Sequence, residues 1–338
     1  MFPLQLMELL WAVVLAITIV YLIVSTVLFV FPTIIHHNHE DRVGSVKISA
    51  HRGGAGEYIE NTMPAFDHAV QIGVNMLEID VQQTKDSVIV ISHDNDMYRA
   101  TGKRGLISET LYADLPPYSN HLFLQFDRVQ CISSQTDFSF VKLDDLFESH
   151  RDVVIHIDTK DGKPSLVNSV SELILKHDRL KNTVWGNMTE AKTDLCYSVN
   201  HDVTLFFSIR KVILTYLMFY LGVIGFYPMK EAVFDIPMPS TLVDQFSDVL
   251  SCWQKVLAHV VNFLMMNRLL FWHLRRRGIK VVVFVLNHEK NFTVAEQYNV
   301  DGIMTDFPSR LIKYHNDKES AESEVGETSQ ILGKESDD

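Results

Sequence analysis

The sequence predicts an α/β protein in which a single (β/α)8 barrel, the TIM-barrel fold, follows an N-terminal transmembrane helix. Eight short apolar runs typical of buried parallel strands recur over roughly 270 residues, and a barrel of this kind takes about 250. Helical patterns separate most of these runs. Residues 9–30 are almost purely apolar, and about 20 such residues cross a hydrocarbon core of roughly 30 Å.

The apolar helix comes first, and we predict that residues 1–35 form a membrane anchor. A secretory signal would have a basic start and a cleavage site between small residues. This terminus instead carries Glu8 and no Lys or Arg, and no such site precedes Pro32. We therefore expect an integral membrane protein.

Residues 36–45 form a polar linker that is rich in histidine. Neighbouring histidines can bind a metal, but a solvated linker is the simpler interpretation. Because Arg42 and Lys47 follow the apolar helix and no basic residue precedes it, the positive-inside rule places the main domain in the cytosol. Triplets at Asn187 and Asn291 fit N-glycosylation and favour the opposite orientation, but such triplets often arise by chance.

The barrel is predicted over residues 46–315. Its strands are expected at Val46–Ala50, Met76–Val81, Val88–Ser92, Val153–Asp158, Thr183–Trp185, Val203–Ser208, Lys280–Leu286 and Ile303–Thr305. Helices are expected at Met63–Gly73, Leu143–His150, Ser165–His177, Phe263–Arg277 and Ala295–Tyr298. Residues 82–87 are too few to hold a helix, so we predict a barrel that lacks the helix after strand 2.

A second apolar run, residues 212–227, follows the predicted sixth strand. If it crossed a membrane, the last two strands would be separated from the others and the sheet would keep open edges. We therefore predict a membrane-associated insertion that lies in the interface or re-enters the same leaflet, as an apolar lip beside the mouth of the barrel. The alternative is a hairpin packed on the flank of the barrel.

Composition limits the classes of function. A net charge of −12 and a pI of ≈ 5.6 argue against nucleic-acid binding, which needs clustered Lys and Arg. Residues 316–338 are acidic and lack aromatic side chains, which predicts a disordered tail. Cys131, Cys196 and Cys252 have neither a disulfide framework nor zinc spacing, so buried free thiols are expected.

The loop after the first strand carries the first chemically active side chains. His51 and Arg52 leave the strand together, glycines that allow close backbone approach follow, and Glu60 lies shortly before a helix capped by Thr62. Active sites of (β/α)8 barrels lie at the carboxyl ends of their strands. This loop is therefore a predicted part of the active site.

The second strand adds Glu78 and Asp80, which are two residues apart and point to the same face. Such an alternation can simply be a solvated sheet face. Here, however, the strand follows the histidine loop directly, and the next strand ends in His93 and Asp94. Two strand-end histidines around a pair of carboxylates predict a metal site with an acid and a base.

In order and spacing, these motifs resemble the glycerophosphodiester phosphodiesterase family. The matching motifs are His51-Arg-Gly, Glu60-Asn-Thr, Glu78-x-Asp80 and His93-Asp94, and residues 301–308 are similar to the family's closing strand and loop. The resemblance spans residues 46–311 and looks closest to a membrane-anchored animal branch that acts as a lysophospholipase D. It also implies a barrel without the helix after strand 2.

Three positions need separate comment. Asp158 and Lys160 end the predicted fourth strand and belong either to the site or to a loop salt bridge. The family usually has Glu in place of Asp158. Because the side chain of Asp is shorter than that of Glu, a metal bound here would be displaced or would be contacted through a water. The family commonly has Trp in place of Phe284, which could still line the mouth. Asp306 resembles the family's Thr-Asp-x-Pro and is expected to hold its loop rather than to act in catalysis.

The expected chemistry is phosphodiester cleavage with one divalent metal ion, Mg²⁺ or Ca²⁺. The candidate ligands are carboxylates, the oxygen donors that hard cations prefer, and they are Glu60, Glu78, Asp80 and Asp158, with His93 as a further candidate. His51 and His93 are the predicted base and acid, because imidazole titrates near neutral pH. Arg52 and Lys160 are predicted to bind the phosphate.

We expect a lysophospholipase D that converts lysophosphatidylcholine to lysophosphatidic acid and choline, with attack by the glycerol 2-hydroxyl. For N-acyl lysophosphatidylethanolamine, the resemblance implies release of N-acylethanolamine. Two alternatives stay open: a hydrolase of water-soluble glycerophosphodiesters that yields glycerol 3-phosphate, and an inactive membrane scaffold. The expected partners are lysophospholipid and membrane lipid. The resemblance favours the endoplasmic reticulum or another endomembrane, and the oligomeric state is not indicated.

Overall fold

The computed structural model describes residues 4–39, 42–125, 127, 129–133 and 138–334. Its strands are β1 (Ile48–Ala50), β2 (Met76–Gln83), β3 (Ile89–Ile91), β4 (His121–Phe123), β5 (Gln130–Ile132), β6 (Val154–Thr159), β7 (Thr183–Gly186), β8 (Thr204–Leu205), β9 (Val233–Pro237), β10 (Lys280–Phe284) and β11 (Gly302–Thr305). Its helices are α1 (Leu4–Val30), α2 (Met63–Gln71), α3 (Tyr98–Thr101), α4 (Leu143–Ser149), α5 (Pro164–Lys176), α6 (Glu190–Val199), α7 (Ile209–Tyr220), α8 (Ser240–Phe246), α9 (Cys252–Met265), α10 (Arg268–Arg276), α11 (Glu289–Glu296) and α12 (Pro308–Lys334).

Eight of the strands form the predicted parallel barrel. Their order is β8-β7-β6-β2-β1-β11-β10-β9, and a parallel bridge between Phe206 and Val233 joins the two ends. β2, β6 and β7 are buried almost throughout, as expected for parallel strands that are covered on both faces. The fold class is therefore the one that the sequence predicts.

The register between β2 and β6 determines where the carboxylates lie. Glu78 pairs with His156, and Asp80 pairs with Asp158. Because paired residues on neighbouring strands point to the same face, these four side chains enter the barrel together at the carboxyl ends of the two strands.

One predicted barrel strand is wrong. β3 lies antiparallel to β2 and is not part of the barrel. The short connection explains this, because neighbouring strands joined by a few residues form a hairpin, whereas parallel strands need a long crossover. As predicted, no helix directly follows β2, because β2 and β3 form this hairpin. The chain then continues through α3, β4, β5 and α4 before it enters β6.

The barrel strand missing from the prediction is β9. It pairs in parallel with β10 over five residues. The sequence hides it because Asp235 lies in its middle and Pro237 at its end, and both residues are uncommon in strands. With β9 included, the apolar run 212–227 follows the fifth barrel strand, β8, and not the sixth.

That apolar run forms most of α7 and the turn after it. α7 has 12 residues, too few to cross a membrane. Its inner side packs on the barrel through the buried Thr215 and the partly buried Val212 and Tyr216. This side therefore agrees with the alternative prediction, in which the segment packs on the flank of the barrel. Its outer side, with Ile213 and Leu217, remains exposed.

The predicted linker is packed against the barrel instead of being solvated. His39 is buried, and its Nε2 bonds to the carbonyl of Met229 at 3.2 Å. Val43 and Val46 join the apolar cluster that fills the barrel interior with residues such as Val233. The amino-terminal segment of the domain therefore closes one end of the barrel.

Three smaller expectations also meet the structure. The sequence predicts a disordered tail over residues 316–338, whereas α12 continues to Lys334; residues 335–338 lie outside the described part. The tail contains strong helix formers and no proline after Pro308. Cys131 and Cys196 are buried free thiols as expected, whereas Cys252 is exposed. Asn187 and Asn291 are both buried, which disfavours their glycosylation.

Candidate active site

The sequence motifs meet in a cavity of ≈ 260 Å³ at the carboxyl ends of the barrel strands. Its walls combine titratable and apolar side chains from several strands and the loops that follow them. The lining residues are His51, Arg52, Glu78, Asp80, His93, Gln125, His156, Asp158, Lys160, Met188, Phe206, Asp235, Phe284 and Met304. All predicted site residues except Glu60 belong to this set.

A tight turn after β1 places His51 and Arg52. Arg52 has φ 51 and Gly53 has φ 81, the left-handed region that glycine adopts without strain. A side chain at Gly53 would also lie 2.8 Å from the ring of Phe66 on α2. The turn thus allows α2 to pack closely and directs both polar side chains into the barrel.

Asp306 orients His51. Nδ1 of His51 donates to Oδ1 of Asp306 at 2.6 Å, and Nδ2 of Asn287 donates to the other carboxylate oxygen at 2.9 Å. Burial lowers the pKa of His51, but the charge and hydrogen bond of Asp306 together with the charge of Glu78 outweigh it, so the net shift of the pKa is upward. The expectation that Asp306 only holds its loop is therefore incomplete, since it also fixes the imidazole.

His93 has a carboxylate partner of its own. Its Nδ1 lies 2.8 Å from Oδ1 of Asp94, and Oδ2 of Asp94 accepts from Nε of Arg99 at 2.5 Å. The two histidines thus share one arrangement, with a carboxylate on Nδ1. Nε2 is the second ring nitrogen of each, and in His51 it lies 3.9 Å from Oε2 of Glu78.

Glu60, which the sequence predicts as a metal ligand, pairs with two arginines in the structure. Glu60 lies outside the cavity lining, and its carboxylate accepts from Nη1 of Arg52 at 3.2 Å and from Nη2 of Arg99 at 2.6 Å. Burial raises its pKa, but Arg52 and Arg99 outweigh this and lower the pKa below the ordinary value. Glu60 therefore supports the two arginines, because the loop turns back after Arg52 and carries it behind the cavity.

Arg52 is held from several sides. Its backbone N–H donates to Oε2 of Glu78 at 3.0 Å, and its Nη2 donates to Oε1 of Gln125 at 2.5 Å. Its Nε lies 3.4 Å from Oδ2 of Asp80. These contacts fix the guanidinium at the cavity wall, where it is positioned for an anionic ligand.

Lys160 lies between two of the predicted ligands. Its Nζ is 2.7 Å from Oδ1 of Asp80 and 2.6 Å from Oδ2 of Asp158. Burial raises the pKa of Asp80, but Lys160 and then Arg52 outweigh it and lower the pKa. For Asp158 burial dominates and raises the pKa, despite Lys160.

The third carboxylate, Glu78, has a raised pKa, first because it is buried and second because Asp80 lies beside it. A cation would relieve this repulsion. Oδ2 of Asp80 is buried without a hydrogen bond. Glu78, Asp80 and Asp158 thus have the chemistry of a hard-cation site, although in the described part of the chain no three His, Cys, Asp or Glu side chains are arranged closely enough to hold an ion.

Sequence reasoning missed a third imidazole–carboxylate pair, which lies inside the cavity. Nε2 of His156 lies 2.7 Å from Oδ2 of Asp235, and both side chains are buried. Burial lowers the pKa of His156, but Asp235, supported by the charges of Glu78 and Asp158, outweighs it, so the net shift of the pKa is upward. His156 could have been found, because it lies two residues before Asp158 on the same strand. Asp235 could not, because its strand was not recognised.

One wall of the cavity is apolar. It consists of Met188, Phe206, Phe284 and Met304. Phe284 thus lines the mouth, as the sequence suggested. A cavity lined by both cationic and apolar side chains is suited to a ligand that has anionic and apolar parts.

Comparisons with known proteins agree with this geometry. Residues 51–310 match the model of the glycerophosphoryl diester phosphodiesterase family. The chain is 40% identical over 298 residues to human lysophospholipase D GDPD1, which covers 88% of this chain and 94% of that protein. It is 31% identical to human lysophospholipase D GDPD3 over 270 residues, 80% of this chain and 85% of that protein.

Solved structures share the fold. A glycerophosphodiester phosphodiesterase from Agrobacterium tumefaciens superposes with a TM-score of 0.57 at 17% identity, covering 79% of this chain and 99% of that one. A phosphodiesterase from Oleispira antarctica in complex with sn-glycerol-3-phosphate gives a TM-score of 0.55 at 18% identity, and the match covers 80% of this chain and 97% of that one.

Proposed function

The chain belongs to the glycerophosphoryl diester phosphodiesterase family and is a phosphoric diester hydrolase, and from this premise we propose that it is a metal-dependent lysophospholipase D. Its substrates are lysophosphatidylcholine and N-acyl lysophosphatidylethanolamine. Its products are lysophosphatidic acid and choline or N-acylethanolamine.

One observation carries the proposal. Two imidazole–carboxylate pairs, His51 with Asp306 and His93 with Asp94, lie around one cavity that also holds Arg52 and Lys160. A base, an acid and two cations are what the cleavage of an anionic diester requires. The names of the relatives that match at 40% and 31% identity support a lysophospholipid as the substrate.

We assign the first proton transfer to His51. Its Nδ1 proton is held by Asp306, so Nε2 accepts the proton of the glycerol 2-hydroxyl. The deprotonated oxygen attacks phosphorus and closes a five-membered cyclic phosphate. Arg52 and Lys160 stabilise the negative charge on the non-bridging oxygens, where preorganised donors act most strongly.

We assign the second proton transfer to His93. The bond between phosphorus and the head-group oxygen breaks, and Nε2 of protonated His93 gives this oxygen its proton. Water then opens the cyclic phosphate: it gives a proton to His93, while His51 returns its proton to the 2-oxygen. Both histidines end in their starting states, so the cycle is balanced.

We propose that Glu78, Asp80 and Asp158 hold one divalent cation, Mg²⁺ or Ca²⁺. Such a cation would supply Lewis-acid stabilisation of the phosphate charge. The three carboxylates lie at the carboxyl ends of neighbouring strands, and burial and then the charge of Asp80 raise the pKa of Glu78, which a bound cation would counteract.

Comparing two substrates tests the substrate class. The purified chain should turn over lysophosphatidylcholine at least ten times faster than glycerophosphocholine, because only the lipid uses the apolar wall of Phe206 and Phe284, a gain of roughly tenfold. Faster turnover of glycerophosphocholine would favour the water-soluble alternative. A 2-deoxy lysolipid should not react, and its full turnover would exclude attack by the 2-hydroxyl.

We also propose that α1 anchors the protein in an endomembrane such as the endoplasmic reticulum, with the barrel in the cytosol. Met7–Val30 is long and apolar enough to span a membrane, and only 6% of it is buried. Arg42 and Lys47 on the barrel side support this orientation. In sealed microsomes, added protease should digest the barrel without detergent; protection of the barrel would reverse the orientation.

A further inference from the structure

The outer surface of the barrel carries an apolar stripe that the proposed chemistry does not use. No residue of α9 is buried, yet its apolar residues recur at helical spacing. The exposed ones are Trp253, Val256, Leu257, Val260, Phe263 and Leu264. A surface helix normally turns such a stripe to the core. Here Trp253 is 65% exposed and Phe263 is 78% exposed, so the stripe faces outward.

Neighbouring helices extend this stripe. The hydroxyl groups of Tyr216 and Tyr220 on α7 donate to the carbonyls of Met265 and Leu264 at the end of α9, each at 2.7 Å. The further exposed apolar side chains on α7, at the residue that caps its end and on α10 are Ile209, Ile213, Leu217, Leu221, Leu269 and Trp272. We call the stripe on α9 and these residues the apolar face.

The charge pattern around the apolar face is unusual for this chain. Asp and Glu account for 42 of the 338 residues, but residues 209–230 and 249–288 contain none. These two segments hold nine Lys and Arg, including Lys255 and Arg268. Arg277 is buried and Arg210 pairs with Glu190, whereas Arg268 and Arg276 are exposed. An apolar surface bordered by exposed cations fits an anionic membrane surface.

The apolar face is also continuous with α1. The hydroxyl of Ser25 donates to the carbonyl of Gly222, at the end of α7, at 2.5 Å. The ring of Phe29 lies 5.7 Å from the ring of Trp272, and its carbonyl accepts from Nδ1 of His273 at 2.8 Å. A bilayer that holds α1 therefore lies next to α7 and α10, beside α9.

We propose that the apolar face lies in the interfacial layer of the bilayer that holds α1, with α9 as its main membrane-contacting element. The chain segment that carries α9 also leads to the active site. Gln245 and Phe246 on α8 border a cavity of ≈ 390 Å³ together with Gln125, which also lines the catalytic cavity. We infer from this that a lysolipid enters the active site from the membrane plane, along the apolar face. This entry route rests on the proposed function, whereas the membrane contact of α9 does not depend on the substrate.

Site-directed labelling tests the contact independently of activity. An environment-sensitive fluorophore is placed in the full chain at Leu257→Cys or at Leu175→Cys, each with Cys252→Ser. Leu257 on α9 is 50% exposed and Leu175 on α5 is 56% exposed, so the second position is a matched control. The protein is reconstituted in vesicles of phosphatidylcholine and phosphatidylserine that contain a spin-labelled lipid as quencher.

The label at position 257 should be quenched several-fold more than the label at position 175. Equal quenching at the two positions would overturn the proposal. Quenching at 257 that requires phosphatidylserine supports the role of the cations, whereas quenching in phosphatidylcholine alone supports the apolar contact by itself.

Activity tests the delivery of substrate. Leu257→Asp should lower the turnover of vesicle-bound lysophosphatidylcholine roughly tenfold, because one buried leucine side chain supplies about that much partitioning. Leu175→Asp should not change it, and both variants should retain turnover of glycerophosphocholine. Unchanged lipid turnover in Leu257→Asp would refute the entry route. If the unaltered enzyme turned over no lysolipid, the proposed substrate would fail, while the labelling would still decide the membrane contact.

Discussion

Replacing Asp306 with Asn should inactivate the enzyme while its fold is preserved. The new amide cannot rotate freely. Oδ1 of Asn287 accepts from the backbone N–H of residue 306 at 3.0 Å and from the hydroxyl of Thr305 at 3.2 Å, so Nδ2 of Asn287 must still donate to residue 306. It will take the amide oxygen, and the NH₂ group of the new side chain will face His51.

An amide that donates to Nδ1 forces the proton of His51 onto Nε2. The imidazole then cannot accept a proton from the substrate hydroxyl, and kcat should fall by about 10²–10⁴, the contribution of a positioned base. The KM should change little, because Arg52 and Lys160 keep their contacts with Asp80. Steady-state kinetics on lysophosphatidylcholine measure both values, and the melting temperature checks the fold.

Asp144→Asn is the matched control for this variant. Oδ1 of Asp144 also lies 2.6 Å from a histidine nitrogen, that of His177, on the outside of the barrel. Its kcat should equal that of the unaltered enzyme. A folded Asp306→Asn variant that kept more than about a tenth of kcat, far above the loss expected for a base, would refute the assignment of His51.

Four further substitutions have defined outcomes. Lys160→Met should lower kcat/KM by about 10²–10³, the usual cost of removing one donor to a developing oxyanion, and a smaller loss measured on lysophosphatidylcholine would place the phosphate elsewhere. Glu60→Gln should lower the free energy of unfolding by about 3–5 kcal/mol, since the buried charge pair with Arg52 is broken. It should not raise the Mg²⁺ concentration for half-maximal activity, whereas Asp80→Asn should raise it. Burial lowers the pKa of His39 to about 4, below the ordinary value of about 6.5 that applies to the unfolded chain. The stabilisation by the neutral, buried imidazole is therefore complete above pH ~6.5. It is lost as the pH falls towards 4, and the free energy of unfolding decreases by up to about 3 kcal/mol. His39→Gln should remove this part of the pH dependence in urea titrations, and an unaltered profile would contradict it.

Local spacing was sufficient to predict most of the site. Glu78 and Asp80 share a face because strand side chains alternate, and His51 leaves the carboxyl end of a strand, where barrels place their chemistry. These inferences need only the geometry of one strand and its loop. They place the residues in the cavity that the structure shows.

Long-range geometry was not accessible in the same way. The sequence does not reveal that the chain turns back after Arg52 and brings Glu60 against Arg99, or that Asp306 reaches His51 across 255 residues. The strand with Asp235 was missed because its composition is unlike that of a strand. An outward apolar stripe such as that of α9 has the same pattern as a core-facing one, so only the tertiary structure distinguishes them.

The most direct test of the assigned reaction is the release of lysophosphatidic acid from lysophosphatidylcholine by the purified full-length chain, with and without EDTA, beside His51→Ala. The proposed function predicts a product that needs the divalent cation and disappears in the variant, although the variant keeps the melting temperature of the unaltered protein. Equal product formation by the His51→Ala variant, or full activity in EDTA, would contradict the assigned site or its metal. No product from the lipid, with glycerophosphocholine still cleaved, would keep the catalytic site and reject the lysophospholipid substrate.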